Sequence, residues 1–184
     1  MKNPCAITDV SVGEILDSRG NPTLKVRVST NSSIGEFSVP SGASTGTHEA
    51  AEKRDKEKNR FRGLGVKKTA SSAEKIIRKS LIGMDVRKQK EIDSLLIKLD
   101  GTPDKSNLGA NAILGTSIAC AKAAAAASGK QTFQYLAGLL GTKPKTPYLY
   151  LNLINAGKHA SSYLAFQEYM IVPLVNDVET ALII

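Results

Sequence analysis

Apolar and polar positions alternate near the start of the chain. Val26 and Val28 each stand between polar or charged neighbours, which is the period-2 pattern of a strand with one buried face. We therefore expect strands within residues 5–17 and 23–40, with turn sequences such as Asn31–Ser33 between them. Connections this short favour a three-stranded antiparallel meander, because parallel strands need a crossover of about a dozen residues or more.

The pattern changes to a helical period further along the chain. Residues 86–99 carry a stripe of large apolar side chains, and Asp85 stands where it can cap the free amides at the start of a helix. Ala110–Ala127 is rich in Ala, Leu and Ile and is expected to be a long, mostly buried packing helix. A shorter helix is expected at Phe133–Leu140. The apolar stripe consists of Ile92, Leu95, Leu96 and Leu99.

A change of composition after residue 141 indicates a domain boundary. Residues 142–147 contain two prolines and are predicted to be a linker. Two more strands are expected beyond it, at Tyr148–Ile154 and Gln167–Val172, on either side of a polar loop. We therefore divide the chain into a first domain at residues 1–141 and the start of a second domain at residues 148–184.

Composition narrows the class of protein. The chain has 184 residues, of which 41% are hydrophobic and 23% charged, values typical of a globular protein and not of a disordered one. No segment reaches the roughly 20 uncharged apolar residues of a membrane span. We therefore expect a cytoplasmic protein without a membrane partner. Cys5 and Cys120 are each expected to be small buried side chains, although a disulfide between them stays open.

The net charge of +8, from 25 Lys and Arg against 17 Asp and Glu, raises the question of nucleic-acid binding. The basic residues are spread out, however, and within residues 52–58 they alternate with acidic ones. Only 5% of the residues are aromatic and Trp is absent, so side chains that could stack on single-stranded nucleic acid are scarce. A solvated surface without a nucleic-acid partner is the better interpretation, and an anionic small substrate also suits a basic protein.

Three interpretations fit Gly42–Gly46, whose sequence is Gly-Ala-Ser-Thr-Gly. It matches the G-x-S-x-G pattern of a serine hydrolase, with Ser44 as nucleophile and His159 downstream. That motif follows a strand of a parallel sheet, whereas the strand expected here belongs to a meander. A flexible lid is the second interpretation, because small residues let the backbone approach a ligand and their oxygen atoms suit a hard cation such as Mg²⁺. A plain surface turn is the third.

Polar residues around the last two predicted strands are further candidates. His159 lies in a polar loop between the strands, where it is either a titratable functional group or a structural one. Gln167 and Glu168 open the second of these strands. Polar residues at a strand mouth can face a site, and a pair that faces solvent fits the pattern equally well.

Several segments, taken together, resemble the enolase family. They occur in the family's order with near-family spacing and cover nearly the whole chain, so they are specific jointly although each is short. The segments are Asp17–Thr23 (DSRGNPT), Val39–Ala50 (VPSGASTGTHEA), Leu99–Thr102 (LDGT) with Leu108–Leu114 (LGANAIL), His159–Ala160 and Gln167–Pro173 (QEYMIVP).

The resemblance implies a fold and a reaction. The fold is an α+β N-terminal domain, a three-stranded antiparallel meander with a helical bundle, followed by the first strands of an incomplete (β/α)₈-type barrel. The first two barrel strands of this family pair antiparallel. The reaction is the dehydration of 2-phosphoglycerate to phosphoenolpyruvate with two Mg²⁺ ions. The resemblance also implies a homodimer, or a second chain that supplies the barrel.

The resemblance assigns roles to four residues of this sequence. Ser44 matches the lid serine that ligates the second Mg²⁺. His159 matches the mobile-loop histidine close to the substrate, with a catalytic and substrate-binding role. Gln167 and Glu168 match substrate-site residues, and Glu168 is the catalytic residue near the departing hydroxyl group.

The chain also departs from the family pattern. Gly13 stands where enolases commonly have an arginine of the dimer contact, and Ala156 and Ala165 replace a usual glycine and aspartate. The family's acid glutamate, its ligands of the first Mg²⁺ and its base lysine have no counterparts in residues 1–184. We therefore expect a truncated chain that is inactive alone. A non-catalytic enolase remnant or interaction module is the alternative, and a serine hydrolase is a minor one.

Overall fold

A computed structural model describes residues 3–42, 46–156, 164–175 and 177–183. The described residues form two compact units, one ending at Thr142 and the other beginning at Lys143. Their strands are β1 (Ile7–Leu16), β2 (Pro22–Thr30), β3 (Ile34–Ser38), β4 (Leu151–Asn155) and β5 (Glu168–Ile171). Their helices are α1 (Lys67–Leu81), α2 (Gln89–Asp100), α3 (Ala110–Ala127), α4 (Thr132–Leu140) and α5 (Val178–Ile183), and a 3₁₀ turn lies at Phe61–Gly63.

The sheet of the first unit is the predicted meander. Its strands follow the order β1-β2-β3 and both pairs are antiparallel. Val12 lies opposite Val26 in the register of the first pair. Both are buried, and so is Val28, as the period-2 alternation predicted. Together with the helices, this sheet confirms the α+β fold class.

Helix α3 lies directly against the sheet, and small residues make this possible. A Cβ atom at Gly35 of β3 would stand 2.0 Å from the carbonyl oxygen of Ala119 and 2.4 Å from the amide nitrogen of Ala123. The backbone of β3 therefore packs directly against the backbone of α3 at Gly35, with no room for a side chain between them. Among the described residues α3 is also the one helix whose length and composition would allow a membrane span, but 56% of it is buried within the protein. It is the packing element that its alanine content predicted.

The two cysteines are separate buried thiols. Cys5 and Cys120 are both free and buried, so the disulfide left open by the sequence is not formed. Burial raises the pKa of the Cys120 thiol to about 12. The thiolate, which is the reactive form, is therefore scarce at neutral pH. Both side chains serve as small apolar groups of the core.

Helix α2 follows its predicted stripe but begins later than predicted. Ile92 and Leu96 are fully buried within it. The helix starts at Gln89, so the predicted capping role of Asp85 is wrong. The Asp85 carboxylate instead accepts hydrogen bonds from the amide of Arg87 at 3.0 Å and from its guanidinium group. This local ion pair holds the pKa of Asp85 well below its usual value, and only the carbonyl oxygen of Asp85 accepts a hydrogen bond from the residue before the helix, Lys88, at 3.0 Å.

The start of α1 is capped by carboxylates from elsewhere in the chain. Glu14 of β1 accepts a hydrogen bond from the amide of Val66 at 2.7 Å. Asp55 accepts from the amides of Lys68 at 2.9 Å and Thr69 at 2.8 Å. Free amides at a helix start favour negative charge, so the two acids tie this helix to the sheet and to the segment that precedes it.

The second unit contains an antiparallel strand pair. β4 and β5 pair with Leu151 opposite Ile171 and Asn155 opposite Glu168. Both strands are shorter than the predicted ones, and their antiparallel pairing is the one that the enolase resemblance implied. The short helix α5 had no counterpart among the predicted elements.

Candidate functional site

One end of the β4–β5 pair brings two predicted site residues side by side. The amide of Ala156, which directly follows β4, donates to the carbonyl oxygen of Gln167 at 2.7 Å. Glu168 begins β5 opposite Asn155. The side chains of Gln167 and Glu168 are exposed, so this strand end presents an amide and a carboxylate to solvent.

Two other predicted site residues lie outside the described residues. His159 belongs to residues 157–163, the part of the sequence between the two strand ends, and Ser44 belongs to residues 43–45. The structure therefore describes Gln167 and Glu168 but neither Ser44 nor His159, and the roles of all four residues stay predictions.

The chain that leads to Ser44 is held by two arginines. The guanidinium group of Arg19 donates to the carbonyl oxygen of Ser41 at 2.6 Å. Arg54 donates to the hydroxyl oxygen of Ser41 at 3.1 Å, and this hydroxyl donates to the Glu52 carboxylate at 3.3 Å. Both the backbone and the side chain of Ser41 are therefore fixed by charged groups.

The turn after β1 positions Arg19. The Asp17 carboxylate accepts hydrogen bonds from the amides of Arg19 at 2.8 Å and Asn21 at 2.9 Å, and Gly20 between them has a φ of 75°. Hydrogen bonds, first from the amide of Asn21 and then from Arg19, hold the pKa of Asp17 below its usual value. The motif at residues 17–23 thus builds the turn from which Arg19 reaches Ser41.

Arg54 was missed by the sequence reasoning, which treated the alternating charges around it as a solvated surface. Its side chain is only 14% exposed. It also donates to the carbonyl oxygens of Pro22 at 3.0 Å and Leu64 at 2.5 Å, and to Glu52 at 2.8 Å. One guanidinium group thus joins four chain segments. The charge pattern contains no signal that separates Arg54 from its exposed neighbours.

The segment after Gly46 is fixed by another of the family-like motifs. Asn111 of α3 donates to the carbonyl oxygen of Lys53 at 3.0 Å and accepts from its amide at 3.3 Å. Gly109 has a φ of 96°, and a Cβ atom there would stand 2.6 Å from the Cβ of Lys53. Only glycine fits this close approach without strain.

Asp100 organises the loop before α3. Its buried carboxylate accepts from the amides of Leu108 at 2.7 Å and Thr102 at 3.0 Å. Burial alone would raise the pKa of Asp100, but hydrogen bonds from Thr102 and Leu108 outweigh it, and the pKa is lowered. The residues of the Leu99–Thr102 and Leu108–Leu114 segments therefore shape the first unit, where they order the loop before α3 and fix Lys53.

The surroundings of Gly42–Gly46 differ from those of a hydrolase nucleophile. The preceding strand, β3, is an edge strand of an antiparallel sheet. Among the described residues that follow, the first helical turn begins at Phe61. A nucleophile elbow places its serine between a strand and a helix at the top of an α/β-hydrolase sheet. The structure therefore gives the hydrolase interpretation no support.

The described residues do not form a metal site by themselves. Within residues 3–42, 46–156, 164–175 and 177–183, no group of three or more His, Cys, Asp and Glu side chains is arranged to hold an ion. The exposed Glu168 carboxylate and Gln167 amide are hard oxygen donors of the kind that Mg²⁺ accepts. A complete coordination shell needs ligands from outside this described set.

A family model for "Enolase, N-terminal domain" matches residues 7–136. The chain belongs to the enolase family. The enolase of Thermococcus gammatolerans is 55% identical over 174 residues, which are 95% of this chain and 40% of that relative. The enolases of Thermococcus kodakarensis and Pyrococcus furiosus are each 53% identical over 177 residues, 96% of this chain and 40% of each relative. The predicted enolase resemblance is confirmed, and the chain spans 40% of the length of these curated relatives.

Proposed function

We propose that this chain is the N-terminal domain and the start of the barrel domain of an enzyme that dehydrates 2-phosphoglycerate to phosphoenolpyruvate. The observation that carries the proposal is the identity of 53–55% to three proteins named enolase, which extends over 95% or more of the chain. The proposed enzyme is a cytoplasmic lyase, a phosphopyruvate hydratase of glycolysis.

Glu168 is proposed as a catalytic residue beside the departing hydroxyl group. Loss of water from 2-phosphoglycerate requires a proton at this hydroxyl, which the acid of the missing part of the enzyme supplies, and a carboxylate within hydrogen-bond reach can accept a hydrogen bond from the hydroxyl and hold it in place. Glu168 is exposed at the start of β5. Among the described residues its carboxylate has no hydrogen-bond or ion-pair partner, so it is free to meet a ligand. Gln167 beside it is a proposed substrate-binding residue.

Ser44 and His159 complete the proposed contribution of this chain. Ser44 is proposed as a ligand of the second of two Mg²⁺ ions, and His159 as a catalytic and substrate-binding residue. When bound, Mg²⁺ supplies positive charge beside the substrate carboxylate, which becomes more negative as the adjacent proton is removed. Arg19 and Arg54 support Ser44 indirectly, because they fix Ser41 three residues before it. The acid, the remaining metal ligands and the base are expected from the part of the relatives that this chain does not span.

The proposed partners follow from the family. The substrate and product are 2-phosphoglycerate and phosphoenolpyruvate, small anions that suit a chain with a net charge of +8. The proposed assembly is a homodimer of the complete protein, or a pair of different chains in which the second supplies the barrel. Neither nucleic acid nor a membrane is a proposed partner.

The test uses a fused enzyme, in which residues 1–184 are joined to the part of the Thermococcus gammatolerans enolase that follows the matched segment. Phosphoenolpyruvate formation is measured against Mg²⁺ concentration for the fused enzyme and for its Ser44→Ala variant. We expect activity in the fused enzyme, lower turnover in Ser44→Ala, and partial rescue of the variant by excess Mg²⁺. Thermal melts should differ little, because Ser44 stands among small residues of low apolar content, where loss of a hydroxyl group is expected to change the stability by no more than about 0.5 kcal/mol.

A fused enzyme that melts cooperatively but forms no phosphoenolpyruvate would contradict the proposed function and favour a non-catalytic interaction module. If Ser44→Ala keeps full turnover at every Mg²⁺ concentration, only the metal role of Ser44 is wrong. The native enolase of Thermococcus gammatolerans is the positive control for the assay.

A further inference from the structure

Strand β4 contains a bulge that changes which side chains share a face. Asn152 lies opposite Met170 and Asn155 lies opposite Glu168, with the register shifting between residues 152 and 154. In a regular strand, residues three apart point to opposite faces, because the side-chain period is two. The extra residue of the bulge cancels this alternation, so the side chains of Asn152 and Asn155 lie on the same face.

The bulge sorts the strand pair into a polar and an apolar face. Glu168 and Met170 of β5 lie two apart and so share a face with their partners Asn155 and Asn152. Tyr169 and Ile171 lie on the other face with their own partners, Ile154 and Leu151. The face that carries the proposed catalytic residue therefore also carries two asparagines.

The two asparagines are in direct contact. The side-chain nitrogen of Asn152 donates to the side-chain oxygen of Asn155 at 2.7 Å. Since this bond uses the oxygen of Asn155, the orientation of its amide is set, and its two N–H groups point away from Asn152. Within the described part of the chain neither N–H group donates to another residue. Asn155 thus presents two neutral donors directly opposite Glu168.

We propose that Asn155 is a substrate-binding residue that donates an N–H group to an oxygen atom of the anionic substrate beside Glu168, and that Asn152 is its positioning residue. The inference rests on the proposed function of Glu168. A neutral donor suits this place, because a second carboxylate would repel both Glu168 and the substrate, and a cation would pair with Glu168. Bulges are frequent beside active sites, where they re-aim a side chain.

Two variants of unchanged size test the inference in the fused enzyme. Asn155→Asp keeps the acceptor for Asn152 but replaces the donor by a carboxylate. Asn152→Asp removes the donor to Asn155, so the Asn155 amide turns to donate to the new carboxylate and presents its oxygen to the site. The control is Asn31→Asp, which removes an equally exposed donor to the carbonyl oxygen of Asn3 in the first unit.

The expected result is a KM for 2-phosphoglycerate that rises roughly tenfold or more in Asn155→Asp and less in Asn152→Asp, as for a lost hydrogen bond to a charged group. Turnover should change less than KM, and the double variant should resemble Asn155→Asp alone. The KM of Asn155→Asp should also fall as the pH is lowered and the new carboxylate gains a proton. A residue that only stabilised the fold would not produce this pH dependence.

The possible outcomes separate a failure of the Asn155 inference from a failure of the proposed function. If the fused enzyme is active and both variants keep KM within twofold of the Asn31→Asp control, the inference is wrong while the proposed function stands. If the fused enzyme folds without activity, the proposed function fails and the inference fails with it. If Asn155→Asp does not fold, the KM of Asn152→Asp decides, because that variant leaves Asn155 in place.

Discussion

Replacing Gly35 by alanine is the most direct perturbation of the packing between α3 and the sheet. The new Cβ atom would stand 2.0 Å from the carbonyl oxygen of Ala119 and 2.4 Å from the amide nitrogen of Ala123. Both are backbone atoms, so no side-chain rotation can relieve the contact. The helix must move away from β3, or the strand must bend.

The size of the effect follows from these distances. Real Cβ atoms essentially never approach a neighbour within 3.0 Å, so the helix has to shift by about 1 Å along much of a buried surface. Overpacking of this kind costs about 1–3 kcal/mol and occasionally more. Because two backbone contacts are violated together, we expect about 3 kcal/mol. In a chain of this length that loss lowers Tm by about 6–12 °C.

The assay is thermal unfolding of the 184-residue polypeptide, followed by circular dichroism, with Gly13→Ala as the matched control. Gly13 also lies in a strand, but a Cβ atom there meets nothing within 4 Å, and Gly→Ala at such a site is neutral or stabilises by up to about 1 kcal/mol. A Tm of Gly35→Ala within about 2 °C of the parent, or a similar loss in Gly13→Ala, would refute the reasoning.

Three further predictions concern the first unit. A hydrogen bond from the Arg60 guanidinium lowers the pKa of Glu14 from 4.5 to about 2; burial opposes this shift and the Val66 amide adds to it. The ionised Glu14 carboxylate therefore stabilises the fold above pH 4.5, and this contribution is lost as the pH falls to about 2. Glu14→Gln should flatten the acid dependence of Tm over that interval. Asp100→Asn leaves a buried donor of Leu108 or Thr102 without a charged acceptor and should cost about 1–3 kcal/mol in urea unfolding. Arg62 has a φ of 55°, a left-handed conformation that costs a residue with a side chain about 1–2 kcal/mol. Arg62→Gly should therefore raise Tm slightly in a thermal melt. A lower Tm would show that the Arg62 side chain is needed.

Much of the first unit could be predicted from local pattern. Period-2 alternation identified Val26 and Val28, and the helical stripe identified Ile92 and Leu96, because burial on one face leaves a regular trace in the sequence. The capping of α1 could not be predicted in this way. Glu14 is 52 residues away from the amide of Val66 that it binds, and no local pattern records such a pairing.

The candidate site likewise contains some residues that the sequence could predict and others that it could not. Gln167 and Glu168 could be chosen from their resemblance to family segments, and their adjacency to the end of β4 follows from strand pairing. The proposed role of Asn155 could not be foreseen, because period-2 reasoning places Asn152 and Asn155 on opposite faces. The bulge reverses that assignment. Arg54 was likewise hidden, since only the folded chain distinguishes it from the exposed lysines around it.

We propose that this chain contributes half of an enolase site, with Glu168 at its centre. The direct test compares phosphoenolpyruvate formation by the fused enzyme, by its Glu168→Gln variant and by the 184-residue polypeptide alone, each with Mg²⁺ and each freed of host enolase. We predict activity in the fused enzyme, a loss of about 100-fold or more in turnover for Glu168→Gln with an unchanged melt, and no product from the polypeptide alone. Full turnover in Glu168→Gln, or product from the polypeptide alone, would contradict the account.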